Sequence, residues 1–391
     1  MSATRMHDSI ARQAVLYMAL ELSQSTWKLG FATGLGQEAR QRDIPAIAMA
    51  RLEQEMAAAK ERFNLPPEAP VVSCYEAGRD GFWLHRCLLS LGVANEVVDS
   101  SSIEVDRRQR RAKTDRIDVK KLLKMLIRYR QGEQDVWRTV RAPSVEEEDA
   151  RQLHRELETL HREQTSHINR IKGLLSSCGE TLEVDRNLPK RLKTLRLWDG
   201  SPLPADLYAR LLREFQRMQM VNRQIRHLQQ QRARRIRKVG NDPAMAQVRK
   251  LMRLKGIGVN SSWLYVREVF GWRKIKNRRQ VGAIVGLTGN PYRSGTVDHE
   301  QGISKAGNRR MRAMAIEIAW FWLRFQPRSA LSCWYEQRFA HGGKRLRRVG
   351  IVAVARKLLV ALWKYLETGV PPEGAELSEW QSKLHYTPSL L

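Results

Sequence analysis

Only four cysteines occur in 391 residues, and Cys74, Cys87, Cys178 and Cys333 lie too far apart to make a CxxC pair. A zinc site or a disulfide framework is therefore not expected, and a reducing cytoplasm is the expected compartment. Long apolar runs are missing as well. The best, Val349–Trp363, is broken by Arg356 and Lys357 and falls short of the ~18 residues a membrane span needs. Met1–Arg12 has no apolar core, so a secretory leader is not expected. Acids are outnumbered: 41 Asp and Glu face 69 Lys and Arg, for a net charge of +28. Such an excess says little about fold and much about partners, and it points to a polyanion, above all nucleic acid.

The basic excess is uneven. Residues 1–143 carry +5, residues 144–250 carry +8 and residues 251–391 carry +15. The length allows two or three domains with their own cores, and the pattern of elements suggests where they fall. Val15–Leu22 is nearly continuously apolar, as a central strand buried on both faces should be. Thr26–Ala32 alternates as a second strand. Ile44–Phe63 predicts a helix, Val71–Glu76 a strand, Phe82–Leu91 a helix, Asn95–Val98 a strand and Thr114–Tyr129 a helix. A hairpin followed by strands alternating with helices suits an α/β, RNase H-like layout.

Beyond residue 143 the spacing changes. Leu153, Leu157, Leu160, Ile171 and Leu175 form one apolar stripe, and Leu207, Leu211, Phe215, Met218, Ile225, Leu228 and Ile236 a second. Asp199–Pro204 breaks the two apart. They predict a long antiparallel helical hairpin, a coiled coil and an oligomerisation arm, with an ordinary helical linker as the alternative. Residues 245–366 read as helical and basic. Lys255, Gly256 and Gly258, in Leu254–Gly258, have the look of a helix-hairpin-helix turn that brings backbone N–H groups close to a phosphate; a plain tight turn reads equally well.

Four acids stand out. Glu21 lies inside the apolar first strand, where an ionised carboxylate needs compensation. Glu76 closes the next core strand. Asp115 and Asp118 lie three apart at a helix start, flanked by Lys113 and Arg116, and the spacing puts both acids on one face. Converging carboxylates repel one another, and magnesium relieves this while keeping waters that a phosphate can replace. Each acid alone has a plainer reading. Acids in a first turn offset the macrodipole, Thr114 could cap that turn, and Glu76 and Glu21 could sit in local ion pairs.

With these acids in this order, and with Lys113-Thr-Asp-Arg-Ile-Asp118 opening a helix, the chain resembles the DEDD transposases of the insertion-sequence-110 family, which includes the Piv/MooV site-specific invertases. Gly286–Gly295 (GLTGNPYRSG) and Gln301–Arg312 (QGISKAGNRRMR) are similar to that family's second signature. The resemblance covers roughly residues 15–366. It implies a RuvC-like domain (residues 1–143), a coiled-coil connector (144–240), a C-terminal transposase domain (241–368) and a tail (369–391). It implies metal binding by Glu76, Asp115 and Asp118, with Glu21 standing where the family usually has Asp, one methylene shorter. It implies that Ser294, between Arg293 and Gly295, attacks DNA to form a phosphoserine link. Magnesium is the implied cofactor, with manganese the alternative. The implied partners are DNA, a structured guide (bridge) RNA and further copies of the chain in a dimer or tetramer, with no membrane, in a prokaryotic cytoplasm. Lys305, Asn308, Arg309, Arg310 and Arg312 read as phosphate contacts at a helix start, with a solvated helix face as the alternative. Ser304, Ser261 and Ser262 are weaker nucleophile candidates that would also serve as helix caps. Trp320, Trp322, Trp334 and Trp363 read as core. Two other activities stay open: a metal-only nuclease of the junction-resolvase type, and an inactive nucleic-acid-binding relic.

Overall fold

The computed structural model describes residues 14–78, 81–103, 115–238, 240, 242–294, 297–305 and 307–384; the side chains of residues 101, 115–118, 290–294, 297–301 and 382–383 lie outside that description. The chain divides into two compact units, Met1–Pro143 and Ser144–Leu391.

The first unit is built on a five-stranded mixed sheet: β1 (Leu16–Glu21), β2 (Thr26–Ala32), β3 (Arg40–Pro45), β4 (Val71–Glu76) and β5 (Ala94–Val98), in the order β3-β2-β1-β4-β5. The β1–β2 and β2–β3 pairs are antiparallel, and the β1–β4 and β4–β5 pairs are parallel. Helix α1 (Met49–Arg62) follows β3, α2 (Trp83–Ser90) connects β4 to β5, and α3 (Asp115–Arg130) follows β5. One face of the sheet carries Leu16, Met18, Leu20, Leu29, Phe31 and Tyr75 against Leu52, Met56 and Ala59 of α1 and Leu84 and Leu88 of α2. The other face carries Ala19, Ala32, Val72, Cys74 and Val98 against Val119, Leu122, Leu123 and Leu126 of α3. Burial on both faces explains the unbroken apolar run of β1. The α3 face is lined with small residues, so the helix sits close: a Cβ added to Gly30 of β2 would lie 2.5 Å from Val119 Cγ1.

One element differs from the sequence expectation. Residues 40–45 form an edge strand, and the helix predicted from Ile44 starts at Met49. An edge strand need bury little, and β3 buries only Ile44 of its six residues, so it carries no alternating pattern. It is fastened instead by Arg40, whose guanidinium lies over the Phe31 ring and donates to the buried carboxylate of Glu55 at 2.7 Å.

In the second unit, α4 (Val145–Asp149) opens with a capping box between Ser144 and Glu147. Helices α5 (Gln152–Ser176) and α7 (Ala205–Arg237) run antiparallel, with α6 (Leu188–Thr194) in the connection between them. The start of α5 (Leu153, Leu157, Leu160) shares a core with the end of α7 (Val221, Ile225, Ile236). The end of α5 (Ile171, Leu175) shares another with the start of α7 (Leu211, Phe215, Met218). The two apolar stripes thus bury each other within one chain. The seam has a polar layer: buried Glu214 lies 2.7 Å from His167 Nδ1, 3.1 Å from Arg170 and 2.8 Å from Arg217, and Gln164 donates to Asn222 at 2.7 Å.

The core at the open end of this pair adds α8 (Pro243–Met252), α9 (Val259–Tyr265) with a π-helical turn (Val266–Phe270), α10 (Arg278–Ile284), α11 (Arg309–Phe325), α12 (Ala330–Tyr335) and α13 (Lys344–Thr368). Helix α13 is its axis, burying Ile351, Val354, Leu358, Leu359, Leu362 and Tyr365. Trp322 is fully buried, as expected, whereas Trp320 is half-exposed. Between α10 and α11, where the sequence suggests only helix and loop, lies a two-stranded hairpin, β6 (Gly289–Ser294) and β7 (Val297–Ile303). Residues 370–384 pack back onto the core. Leu377 bridges to Leu254, the backbone N–H of Glu376 donates to the Gln326 side chain at 2.7 Å, and Leu384 is buried.

Candidate carboxylate site and nucleic-acid interface

Glu21 and Glu76 end neighbouring parallel strands. The register pairs Leu20 with Tyr75, so the two acids follow side by side at the carboxyl ends of β1 and β4. Strand alternation puts Glu21 on the face of Ala19 and Glu76 on the face of Cys74, the face that α3 covers. Glu21 is half-buried and Glu76 is exposed. Asp115 and Asp118 belong to the first turn of α3. The next residue, Val119, packs on Gly30, whose register partner Ala19 lies two residues before Glu21. The side chains of Asp115, Arg116 and Asp118, and the whole of Lys113, lie outside the described residues. Among the described residues, no three His, Cys, Asp or Glu side chains gather as metal ligands would. Cys74 offers no second nucleophile on this face, since burial, with Glu96 adding to it, pushes its thiol far up from the usual range. Glu96, on β5, is also pushed up by burial, against the pull of Arg130 3.8 Å away.

Ser294 is the last residue of β6 and pairs with Val297 across the tip of the hairpin. A two-residue connection separates them, and the side chains of Arg293 and Ser294 lie outside the described residues. The base of the hairpin is anchored by a tight turn. Gly307 has φ +81°, and a Cβ there would fall 2.3 Å from the Ile284 carbonyl oxygen. Asn308 then caps α11, its side chain accepting from the N–H groups of Arg310 and Met311 at 3.0 and 3.3 Å.

The basic residues singled out by the sequence divide into two groups. Several are engaged within the protein. Arg310 pairs with Glu158 at 2.7 Å. Arg312 donates to the carbonyls of Val285 and Lys305. Lys255 pairs with Glu376. Gly256, φ +82°, lies against α11, where a Cβ would meet the Phe321 carbonyl oxygen at 3.2 Å. Gly258 caps α9 together with Ser261. Lys305 and Arg309 are exposed, with no ion pair among the described residues.

Sequence reasoning missed a strongly basic cleft. Its volume is about 930 Å³, and it runs between the hairpin base, the start of α10 and one side of α13. Arg278, Arg279, Lys305, Arg345, Arg348, Arg356, Lys357 and Lys364 line it, and among the described residues no acid does. Val349, Val352, Val360, Trp334 and Phe339 make its floor, and Lys357 Nζ stands 4.5 Å from the centre of the Trp334 ring. The signal was present in the spacing of Arg345, Arg348, Arg356 and Lys364, which recur on one side of a helix, but residues 278–279 join them only through the fold. Cations gathered without counter-charge repel one another, and a polyanion relieves that repulsion.

A mixed α/β unit with acids at adjoining strand ends, joined to a helical unit with a strongly basic cleft, describes a protein that handles nucleic acid. Residues 248–333, which contain the hairpin, match the family described as "Transposase IS116/IS110/IS902 family". The chain is 42% identical over 377 residues to the "Putative transposase y4rJ" of Sinorhizobium fredii, covering 92% of this chain and 94% of that one. The chain belongs to the IS116/IS110/IS902 transposase family. It is also 30% identical to the "Putative transposase y4qE" of Sinorhizobium fredii over 66% of this chain and 60% of that one. To the "Probable family 20 transposase" of Pseudomonas aeruginosa it is 27% identical over 59% of this chain and 66% of that one. It is thus similar to transposases along nearly its full length, and DNA is the partner that membership implies. No helix among the described residues is long and apolar enough to cross a membrane.

Proposed function

We propose that this transposase cuts and rejoins DNA through two sites, a magnesium-binding carboxylate set on an RNase H-like (RuvC-like) unit and a serine nucleophile on the helical unit, guided by a structured RNA. One observation carries the reading. The strand order β3-β2-β1-β4-β5 brings Glu21 and Glu76 to adjoining strand ends on the face covered by α3, whose first turn holds Asp115 and Asp118.

The donor set fits the cation. Glu21, Glu76, Asp115 and Asp118 offer hard carboxylate oxygens and no sulfur or imidazole, which suits magnesium, or manganese in its place. When bound, the ion supplies Lewis-acid polarisation of a phosphate oxygen. Glu21 reaches one methylene further than an aspartate would.

The chain's own residues account for the remaining work. The cations of the cleft, among them Arg278, Lys305, Arg348 and Arg356, hold the phosphate backbone beside the hairpin. Ser294 Oγ attacks a phosphorus atom and loses its proton. A serine–phosphate ester forms, and the bond from phosphorus to one deoxyribose oxygen breaks, releasing a hydroxyl. Attack of a hydroxyl on that ester reverses the step and rejoins the strand, so no high-energy cofactor is consumed. A dimer or tetramer would let the carboxylates of one copy work beside the serine of another. The basic cleft supports an RNA partner as well as DNA.

The test is a denaturing gel with donor DNA, target DNA and a candidate guide RNA. Wild type should give a protein–DNA adduct, and Ser294→Ala and Asp118→Asn should give none. An adduct that persists in Ser294→Ala would move the nucleophile elsewhere, and magnesium-dependent cleavage with no adduct in wild type would favour a metal-only nuclease.

A further inference from the structure

Arg232, near the end of α7, is 6% exposed, and among the described residues its guanidinium has no hydrogen bond and no ion pair; its Nε is fully enclosed. A buried charge without a partner is unstable unless something outside the chain completes it. Burial alone lowers its pKa to about 10, so it stays charged at neutral pH. Arg232 lines a pocket of about 460 Å³, distinct from the basic cleft along α13. The Oε1 of Gln229, one turn earlier, is also enclosed without a partner. Gly256, Gly258 and Ser261 line the same pocket and give it bare backbone and a hydroxyl, and the carboxylate of Glu317 contributes to the lining from an exposed position.

We propose that this pocket seats a backbone phosphate of the bound nucleic acid, with Arg232 as its anchor. The chemistry selects the ligand. A planar guanidinium with free N–H groups matches two phosphate oxygens at once. Arg234, Arg235 and Arg237 in the last turns of α7, and Lys238 just after it, are exposed, with no ion pair between them and any acid among the described residues. A backbone phosphate brings neighbouring phosphates that these cations at the end of α7 attract, which a lone small anion would not do. Glu317 sits more than 4 Å from the guanidinium, since no ion pair joins them. The helical unit thus grips the polyanion at two places, and the proposal rests on the nucleic-acid reading of this unit but not on its chemistry.

The experiment uses the full chain carrying Ser294→Ala in buffer with a chelator and no magnesium, so that binding is read without strand cleavage whether or not the serine is the nucleophile. Affinity for a short DNA duplex and for a single-stranded RNA is measured against salt in this background and with Arg232→Met or Arg232→Lys added. Arg232→Met should weaken binding about tenfold and make the salt slope shallower by about one, with Arg232→Lys in between. Without ligand, the Arg232→Met protein should melt no lower than its parent, because a desolvated charge has been removed. Inorganic phosphate should raise the melting temperature of the parent more than that of Arg232→Met, but less than the duplex does. Unchanged affinity and slope in Arg232→Met would overturn the proposal. So would protection by inorganic phosphate as large as that by the duplex, which would make this a site for free phosphate. So would equal destabilisation by Arg232→Met and Glu317→Gln without ligand, which would mean that the two side chains pair in solution.

Discussion

Gly307→Ala tests whether the turn before α11 sets the hairpin that carries Ser294. Gly307 has φ +81°, in the left-handed region, where an alanine costs about 1–2 kcal/mol. Its new Cβ would lie 2.3 Å from the Ile284 carbonyl oxygen, 2.9 Å from the carbonyl carbon and 3.1 Å from the Ala283 oxygen. Relaxed separations are about 3.5 Å, so the backbone at the end of α10 must retreat by about 1 Å. Overpacking of that kind costs about 1–3 kcal/mol. The retreat also strains the bond from the Asn308 N–H to the Ile284 oxygen, now 3.0 Å, worth about 1 kcal/mol. The sum is about 4 kcal/mol, which for a unit of this size lowers the melting temperature by about 10 °C. Calorimetry on the full chain would show the fall in the transition of the helical unit, with that of the sheet unit unmoved. A fall of less than about 2 °C would refute the argument, because neither the conformational term nor the overlap could then be real.

Asn308→Ala should cost about 1 kcal/mol through loss of the cap, while Asn308→Asp should keep the stability of wild type in urea; equal losses in the two would remove the capping role. Arg348→Ala with Arg356→Ala should weaken DNA binding and make its salt slope shallower by about 0.9 for each phosphate left without its cation, and an unchanged slope would put the DNA elsewhere. Burial raises the carboxyls of Glu158 and Glu214, but His154 and Arg310 around the first, and His167, Arg170 and Arg217 around the second, hold both below the usual carboxylate range. A depressed carboxylate favours the folded state above its unfolded value and loses that contribution as pH falls through its folded value. The urea midpoint should therefore be level above about pH 5 and decline below it, less steeply in Glu214→Gln; an identical decline in that variant would count against the polar layer.

The strands with an apolar pattern were legible with nearly correct bounds, because β1, β2, β4 and β5 each bury a face that dictates residue type. Strand β3 was not, since Arg40–Pro45 answers to a partner strand and to Glu55 rather than to a core. The β6–β7 hairpin escaped for a related reason: GNPYRS and VDHEQGI carry little apolar alternation, and their pairing is set by the turns that flank them. The acids were visible by type and order, but their meeting depends on register, which puts Glu21 beside Glu76. Asn308, Arg310 and Arg312 read as phosphate contacts in the sequence, and the fold adds partners the sequence could not show: Asn308 caps α11, Arg310 pairs with Glu158 and Arg312 donates to backbone carbonyls. Sequence shows where charge is, while only the fold shows which charges are already answered, as Arg232 and the cleft of α13 illustrate from the opposite side.

Helix α7 runs unbroken from Ala205 to Arg237, a rod of about 50 Å at 1.5 Å per residue. Its first turns belong to the outer core with Ile171 and Leu175, and its last turns to the inner core with Met245 and Trp263. Nothing along that rod bends easily, and the Glu214 layer keeps α5 from sliding beside it. Trp198, 90% exposed, sits in the connection that leads into the far end. A load on the first turn of α7, by a neighbour or by a nucleic acid, is carried to Arg232, about 40 Å along, by one continuous hydrogen-bonded helix.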